Sequence, residues 1–278
     1  MSFATEYLAQ LQAFAATQTL PRIRALHLPP RQTITDNRGE FCALELEDGS
    51  IGQSYVLFDD SLQRLANGAD IASLSGASAL DVAQRYAGTD SAWATVGFAA
   101  ANALTHCLFR RADFTPPASS DSVGDVQAEP GDHIGMIGLF KPLLPAILKS
   151  GAQLTVVELN PALAGAAEGY RVTLDASELT HCNKVVSTST LLLNHTLDRM
   201  LAHCANAHRF AMIGPSAGCL PDALFARGVT LVGGSWVTDS RGFVDALLAG
   251  DSRHAFARKF ALTPGNYPGY ADLLKMGQ

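Results

Sequence analysis

The stretch His133-Ile-Gly-Met-Ile-Gly-Leu139 decides the fold. Phe140-Lys141-Pro142 and a short helical run over Lys141–Lys149 follow it, and then comes Gln153-Leu-Thr-Val-Val-Glu-Leu159. Both runs are apolar almost throughout instead of alternating, as parallel strands buried on both faces require. The pattern continues downstream. Strands are expected over Lys184–Thr190, Arg209–Pro215 and Thr230–Val237, with helices over His195–Ala205, Asp222–Arg227 and Gly242–Ala249. Five strands joined by helical crossovers specify a doubly wound α/β sheet.

Upstream the period changes. Residues 4–16 form an Ala-rich amphipathic helix, and strands are expected over Ile23–Leu28, Phe41–Leu46 and Ser54–Phe58, with turns at Asn37-Arg38-Gly39 and Asp48-Gly49. Helical periodicity returns over Ser61–Ala66, Ala79–Tyr86 and Trp93–Phe109. A small meander followed by helices is an α+β pattern. Between the halves, Ala112 to Pro130 is rich in proline, serine and acids, the composition of a linker. The expected division is an α+β domain over 1–115, a linker over 116–130 and an α/β domain over 131–278. It places helices on both faces of a mostly parallel sheet.

Composition narrows the function. The 278 residues carry a formal net charge of −6, and the basic residues are scattered, so nucleic acid is not the expected partner. No apolar run of about 18 residues is present, so no membrane partner is expected either. The N-terminus has neither the basic nor the apolar region of a signal peptide. Five widely separated cysteines, without a CxxC pair, read as the reduced thiols of a cytoplasmic protein. The oligomeric state stays open, a homodimer among the options.

In an open parallel sheet, ligands bind beyond the carboxyl ends of the strands. Here those ends carry Gly138 and Lys141, Glu158, then Thr188, Ser189, Thr190 and Asn194, then Gly214 to Gly218 with Ser216, and last Gly233-Gly234-Ser235. Small residues let a ligand approach the backbone, hydroxyls offer adaptable hydrogen bonds, and helix N-termini favour anions. Any one such loop can equally be a turn or a helix cap; it is their coincidence on one rim that marks a site. Glu158 lies twenty residues past Gly138, where dinucleotide-binding folds hold an acid for ribose hydroxyls. The first loop is not GxGxxG, however, because Phe140 and Pro142 stand where tight glycine turns belong. Asn102, an amide in the otherwise apolar Gly97–Leu104 segment, needs buried partners or faces a cleft between the domains.

Other chemistries fit less well. His195, Arg199 and His203 are spaced four apart, as are Cys204 and His208, and His181 adjoins Cys182, but none has a zinc spacing. Gly214-Pro-Ser216-Ala-Gly218 spells the loose pattern of a nucleophile elbow, with Asp239 and His254 following in order. Cys219-Leu220-Pro221 delays the helix that an elbow needs.

Several segments resemble one family, described as "putative heavy-metal chelation". They are Ile134–Leu143, Val185–Leu197 with its Asn194, Met212–Ser216, Phe225–Val229 and Ala100-Ala-Asn102-Ala-Leu104. The resemblance covers almost the whole chain. It implies a domain like the N-terminal domain of enolase followed by a Rossmann-like domain, with a site between them that handles heavy metals or a metal-chelating small molecule. The family's Thr-Gly-Thr-Thr-like stretch is Ser187-Thr188-Ser189-Thr190 here, so Ser189 replaces a glycine and narrows access to the backbone. Its Phe–Pro loop is Phe140-Lys141-Pro142, and Lys141 adds a cation that favours an anionic ligand. The expected function is therefore binding or chelation of a heavy metal, metal complex or anionic small molecule in an interdomain cleft, with a divalent or heavy metal ion as the cofactor to test. A lyase or transferase using the same cleft, and a nucleotide-cofactor oxidoreductase, are the alternatives. Whether the protein is an enzyme stays open.

Overall fold

The computed structural model describes all residues except 35–39, 69–73, 121–125 and 278, so the expected turn at Asn37-Arg38-Gly39 lies outside the described residues. The chain begins with helix α1 (Phe3–Thr17), capped by Ser2, whose hydroxyl accepts the Thr5 N–H at 3.3 Å. Strands β1 (Ile23–His27), β2 (Phe41–Leu46) and β3 (Ile51–Tyr55) form an antiparallel sheet in sequence order. The β2–β3 hairpin turns at Asp48-Gly49, as its residues predict, with Gly49 at φ 83°. Helices α2 (Ser61–Asn67), α3 (Ala79–Ala83) and α4 (Ser91–Arg111) follow.

Helix α4 is the axis of this half. Asp90 caps it through the Trp93 N–H at 3.0 Å, and nearly every side chain from Ala92 to Phe109 is buried. A helix apolar on all sides must be enclosed on all sides. Small residues allow it: a Cβ on Gly52 of β3 would overlap the Ala99 carbonyl and the Ala103 nitrogen of α4.

The C-terminal half is an eight-stranded sheet. In chain order come β4 (His133–Ile137), α5 (Leu144–Lys149), β5 (Gln153–Val157), β6 (Gly165–Ala167), β7 (Tyr170–Thr173), β8 (Lys184–Thr188), α6 (Thr190–Leu193), α7 (Leu197–Ala202), β9 (Arg209–Ile213), α8 (Asp222–Phe225), β10 (Leu231–Val237), α9 (Ser240–Ala249), β11 (Ala257–Leu262) and α10 (Tyr270–Met276). The spatial order is β11-β10-β9-β8-β4-β5-β7-β6, with six parallel strands between antiparallel edges. The five predicted strands are β4, β5, β8, β9 and β10. The other three escape the sequence reading, since β6 is a Gly-Ala-Ala edge exposed at every position and so has no apolar signal.

Alternating residues divide the two faces of this sheet. Val185, Phe210, Met212 and Val232 point to one side with α6, α7 and α8; Val186, Ala211 and Leu231 point to the other with α5. Helices thus cover both faces. The first side shares one continuous apolar core with α1, α3 and α4 of the N-terminal half. The segment after α4 is also tied down: Ala118 bridges Phe260 of β11, and the Ser119 N–H donates to the Lys259 carbonyl at 3.0 Å.

Candidate functional site

The predicted residues fall into two places on the carboxyl edge of the large sheet. The first is a closed seam where the N-terminal half meets the ends of β8, β9 and β10. Asn102, only 1% exposed, is its centre. Its Nδ2 donates to the Gln53 carbonyl and to the Ser216 carbonyl, both at 2.9 Å, and its Oδ1 accepts from the Tyr7 hydroxyl at 3.1 Å. Tyr7 also meets Thr105 Oγ1 at 2.6 Å. The Ser216 hydroxyl accepts the Tyr55 N–H at 3.1 Å, and the Tyr86 hydroxyl donates to the Leu192 carbonyl. These bonds satisfy the amide and bind β3, α1 and the 214–218 loop together. Ser216 is therefore no elbow nucleophile: it is buried, and α8 starts only at Asp222.

Next to Asn102, the His106 ring lies 4.2 Å from that of Trp236, with its Nδ1 accepting the Ile51 N–H at 3.0 Å. Burial pushes its pKa down to about 4, so the ring is neutral at physiological pH. Asn102, His106, Gln53, Ser235 and Trp236 line a cavity of only about 20 Å³, room for a single water. At this seam the expected cleft is closed.

The second place is an open rim over the ends of β4, β5 and β8. Gly138 takes φ 84°, and its N–H donates to the Val157 carbonyl at 2.9 Å. A Cβ there would lie 3.2 Å from Thr188 Cγ2, so a glycine keeps the two loops in contact. Thr188 Oγ1 meets Thr190 Oγ1 at 3.0 Å and accepts the Thr190 N–H at 3.2 Å, and both threonines are half-buried. Lys141 is exposed at the start of a 3-10 turn. The Glu158 carboxylate accepts the N–H groups of Leu139 at 2.5 Å and Leu159 at 3.1 Å, which staples the β4 and β5 loops.

Ser189 and Gly214 link rim and seam. Gly214 takes φ 145°, and a Cβ there would overlap Ser189 Oγ. The hydroxymethyl that stands where the resemblance has glycine is thus accommodated by a glycine on the neighbouring loop. Asn194 serves locally: its Oδ1 accepts from the Thr196 N–H at 3.2 Å and the Thr196 hydroxyl at 2.6 Å, ahead of α7.

Two expectations change. The helices after β4 and β8 are six and four residues long, too short to supply much of a helix dipole. The helix expected over His195–Ala205 is shorter, α7 over Leu197–Ala202, and His195, at φ 54°, lies before its first turn. His195, Arg199 and His203 therefore do not share a helix face. Among the described residues no group of three or more His, Cys, Asp or Glu could hold a metal ion. The thiols do not help: all five cysteines are buried, which raises Cys42, Cys107, Cys204 and Cys219 to about 12 and Cys182 to about 11. Sequence reasoning missed Tyr7, His106 and the exposed pair Leu159 and Leu174. The one available signal was an apolar residue directly after the acid at the end of β5.

Comparison with known proteins agrees with this architecture. A protein of unknown function from the DUF364 family of Pyrococcus horikoshii superposes with a TM-score of 0.68 at 18% identity, over 94% of this chain and 99% of its own. Another member of that family, from Desulfitobacterium hafniense DCB-2 and also of unknown function, gives 0.68 at 20% identity, over 95% and 100%. Likeness at this identity concerns the fold. No curated protein matches the chain. Two family models, both described as "putative heavy-metal chelation", match residues 122–264 and 39–105. The first alone spans half of the sequence, and the chain belongs to this family.

Proposed function

We propose that the protein binds an anionic small molecule, or a metal already held by an anionic chelator, on the open rim formed by Gly138, Lys141, Thr188 and Thr190. The carrying observation is the contact between the β4 and β8 loops, which sets two half-buried threonine hydroxyls beside a positive-φ glycine near an exposed lysine. Hydroxyls and an ammonium suit carboxylate or phosphate oxygens. Direct ligation of a soft metal finds little support: it needs thiolates or imidazoles in a cluster, whereas the thiols are buried and protonated. In this reading the large sheet is a Rossmann-like binding unit, the enolase N-terminal-like half closes one side of its rim, and the protein works in the cytoplasm.

Thermal unfolding tests the proposal, with citrate, inorganic phosphate, zinc ion and zinc citrate as separate additions. A bound anion at 100 times its Kd adds about 2.7 kcal/mol, which raises the Tm by roughly 5 °C for a chain of this size. Citrate, phosphate or the chelate should give such a shift, and zinc ion alone should not. Thr188→Val, Thr190→Val and Lys141→Ala should each shrink it. An equal shift from bare zinc, or unchanged shifts in all three variants, would refute the proposal.

A further inference from the structure

Resting on that reading, we infer that the rim takes a mononucleotide: a ribose cis-diol on Glu158, a base on Leu159 and Leu174, and a phosphate toward Thr188 and Thr190.

Glu158 cannot itself receive an anion. Its carboxylate is held by the Leu139 and Leu159 N–H groups, one on each oxygen. Each oxygen has two acceptor sites, so each keeps one for an incoming donor. Two adjacent acceptors of fixed orientation match two adjacent hydroxyls, and the negative charge strengthens both bonds.

The surface beside Glu158 is apolar. The Glu158 N–H donates to the Thr173 carbonyl at 2.9 Å, so Leu159 and Leu174 each lie one residue beyond that bond, on the same edge. They are 75% and 50% exposed, and Leu163, in the short turn that follows Leu159, is 36% exposed. Half of the six exposed large hydrophobic side chains among the described residues therefore belong to the segments that follow β5 and β7 at this edge. Water-exposed leucines beside an oriented carboxylate suit the face of a flat heterocycle.

Spacing and shape complete the argument. Neighbouring strands stand about 4.8 Å apart, so the ends of β5, β4 and β8 span roughly 10 Å, enough for one nucleoside and one phosphate. The Phe140-Lys141-Pro142 loop stands where a pyrophosphate would need tight glycine turns, which disfavours a dinucleotide.

Isothermal titration of the intact chain tests this with adenosine, guanosine, cytidine and uridine 5′-monophosphates, their 2′-deoxy counterparts, ribose 5-phosphate, NAD and inorganic phosphate. At least one ribonucleotide should bind ten times more tightly than its deoxy counterpart, and more tightly than NAD. Glu158→Gln should reduce the ribo/deoxy ratio below two. Leu159→Ala with Leu174→Ala should weaken the nucleotide several-fold and spare ribose 5-phosphate. The wild-type ratio needs no variant, so it stands even if Glu158→Gln folds poorly. Equal ribo and deoxy affinities, or no nucleotide binding at all, would overturn the inference. Phosphate or citrate binding would then still support the anion reading, whereas the loss of all anion binding would remove both.

Discussion

Replacing Asn102 with alanine should cost the protein a large part of its stability. The amide donates to two buried carbonyls, of Gln53 and Ser216, and accepts from Tyr7. Truncation strands both carbonyls, at about 1–3 kcal/mol each, and leaves Tyr7 with Thr105 alone. The expected loss is about 2–6 kcal/mol, against a total of about 5–15 kcal/mol for a typical chain. The adjoining cavity of about 20 Å³ admits one water. Such a water re-satisfies one carbonyl and draws the loss toward the lower end. Urea unfolding, followed by far-ultraviolet circular dichroism and by Trp fluorescence, measures it as a drop in midpoint at constant slope. Asn102→Asp sharpens the test, because its second oxygen faces two carbonyl oxygens. Burial there raises the folded-state pKa above the unfolded value of about 3.9, so the variant's deficit is smallest below that pH and grows as pH rises. A loss under about 1 kcal/mol for Asn102→Ala, or an Asn102→Asp deficit independent of pH, would show that the amide does not hold the halves together.

The other predictions concern the same region. His106 has a folded pKa of about 4 against an ordinary 6.5, so its contribution is complete above pH 6.5 and is lost as pH falls toward 4. The full shift corresponds to about 3 kcal/mol, and the urea midpoint should fall less between pH 7 and pH 4.5 for His106→Gln than for the wild type, while His133 and His195, whose pKa values desolvation also lowers, keep part of the fall in both. Gly214→Ala should destabilise through both its φ of 145° and its overlap with Ser189. Adding Ser189→Gly should recover the steric part only, which a double-mutant cycle in thermal unfolding reads as a coupling of about 1 kcal/mol or more; strict additivity would refute the contact.

The large sheet was readable because parallel strands buried on both faces must be apolar, and β4, β5, β8, β9 and β10 are. The hairpin of β6 and β7 was not, since Gly165-Ala166-Ala167 is solvent-exposed and aperiodic. Nor was β11, whose pattern follows its place at an edge. Asn102 announced itself as an amide in an apolar helix. Its partners Tyr7, Gln53 and Ser216 lie 95, 49 and 114 residues away, distances over which a sequence carries no geometric information. The later start of α7 was hidden because a positive φ at a non-glycine residue, here His195 beside the ring of Tyr86, is imposed by tertiary surroundings.

The apolar core shared by the two halves sets an order of events during synthesis. Helix α4 leaves the ribosome long before β8, β9 and β10 exist, so the flank that meets α6 and the 214–218 loop has no partner until most of the chain is made. The early half must therefore wait in a sticky, incompletely packed form, a natural client for chaperones. Cutting the gene at the segment after α4 would leave two pieces, each with a bare apolar flank, that stay in solution better together than apart.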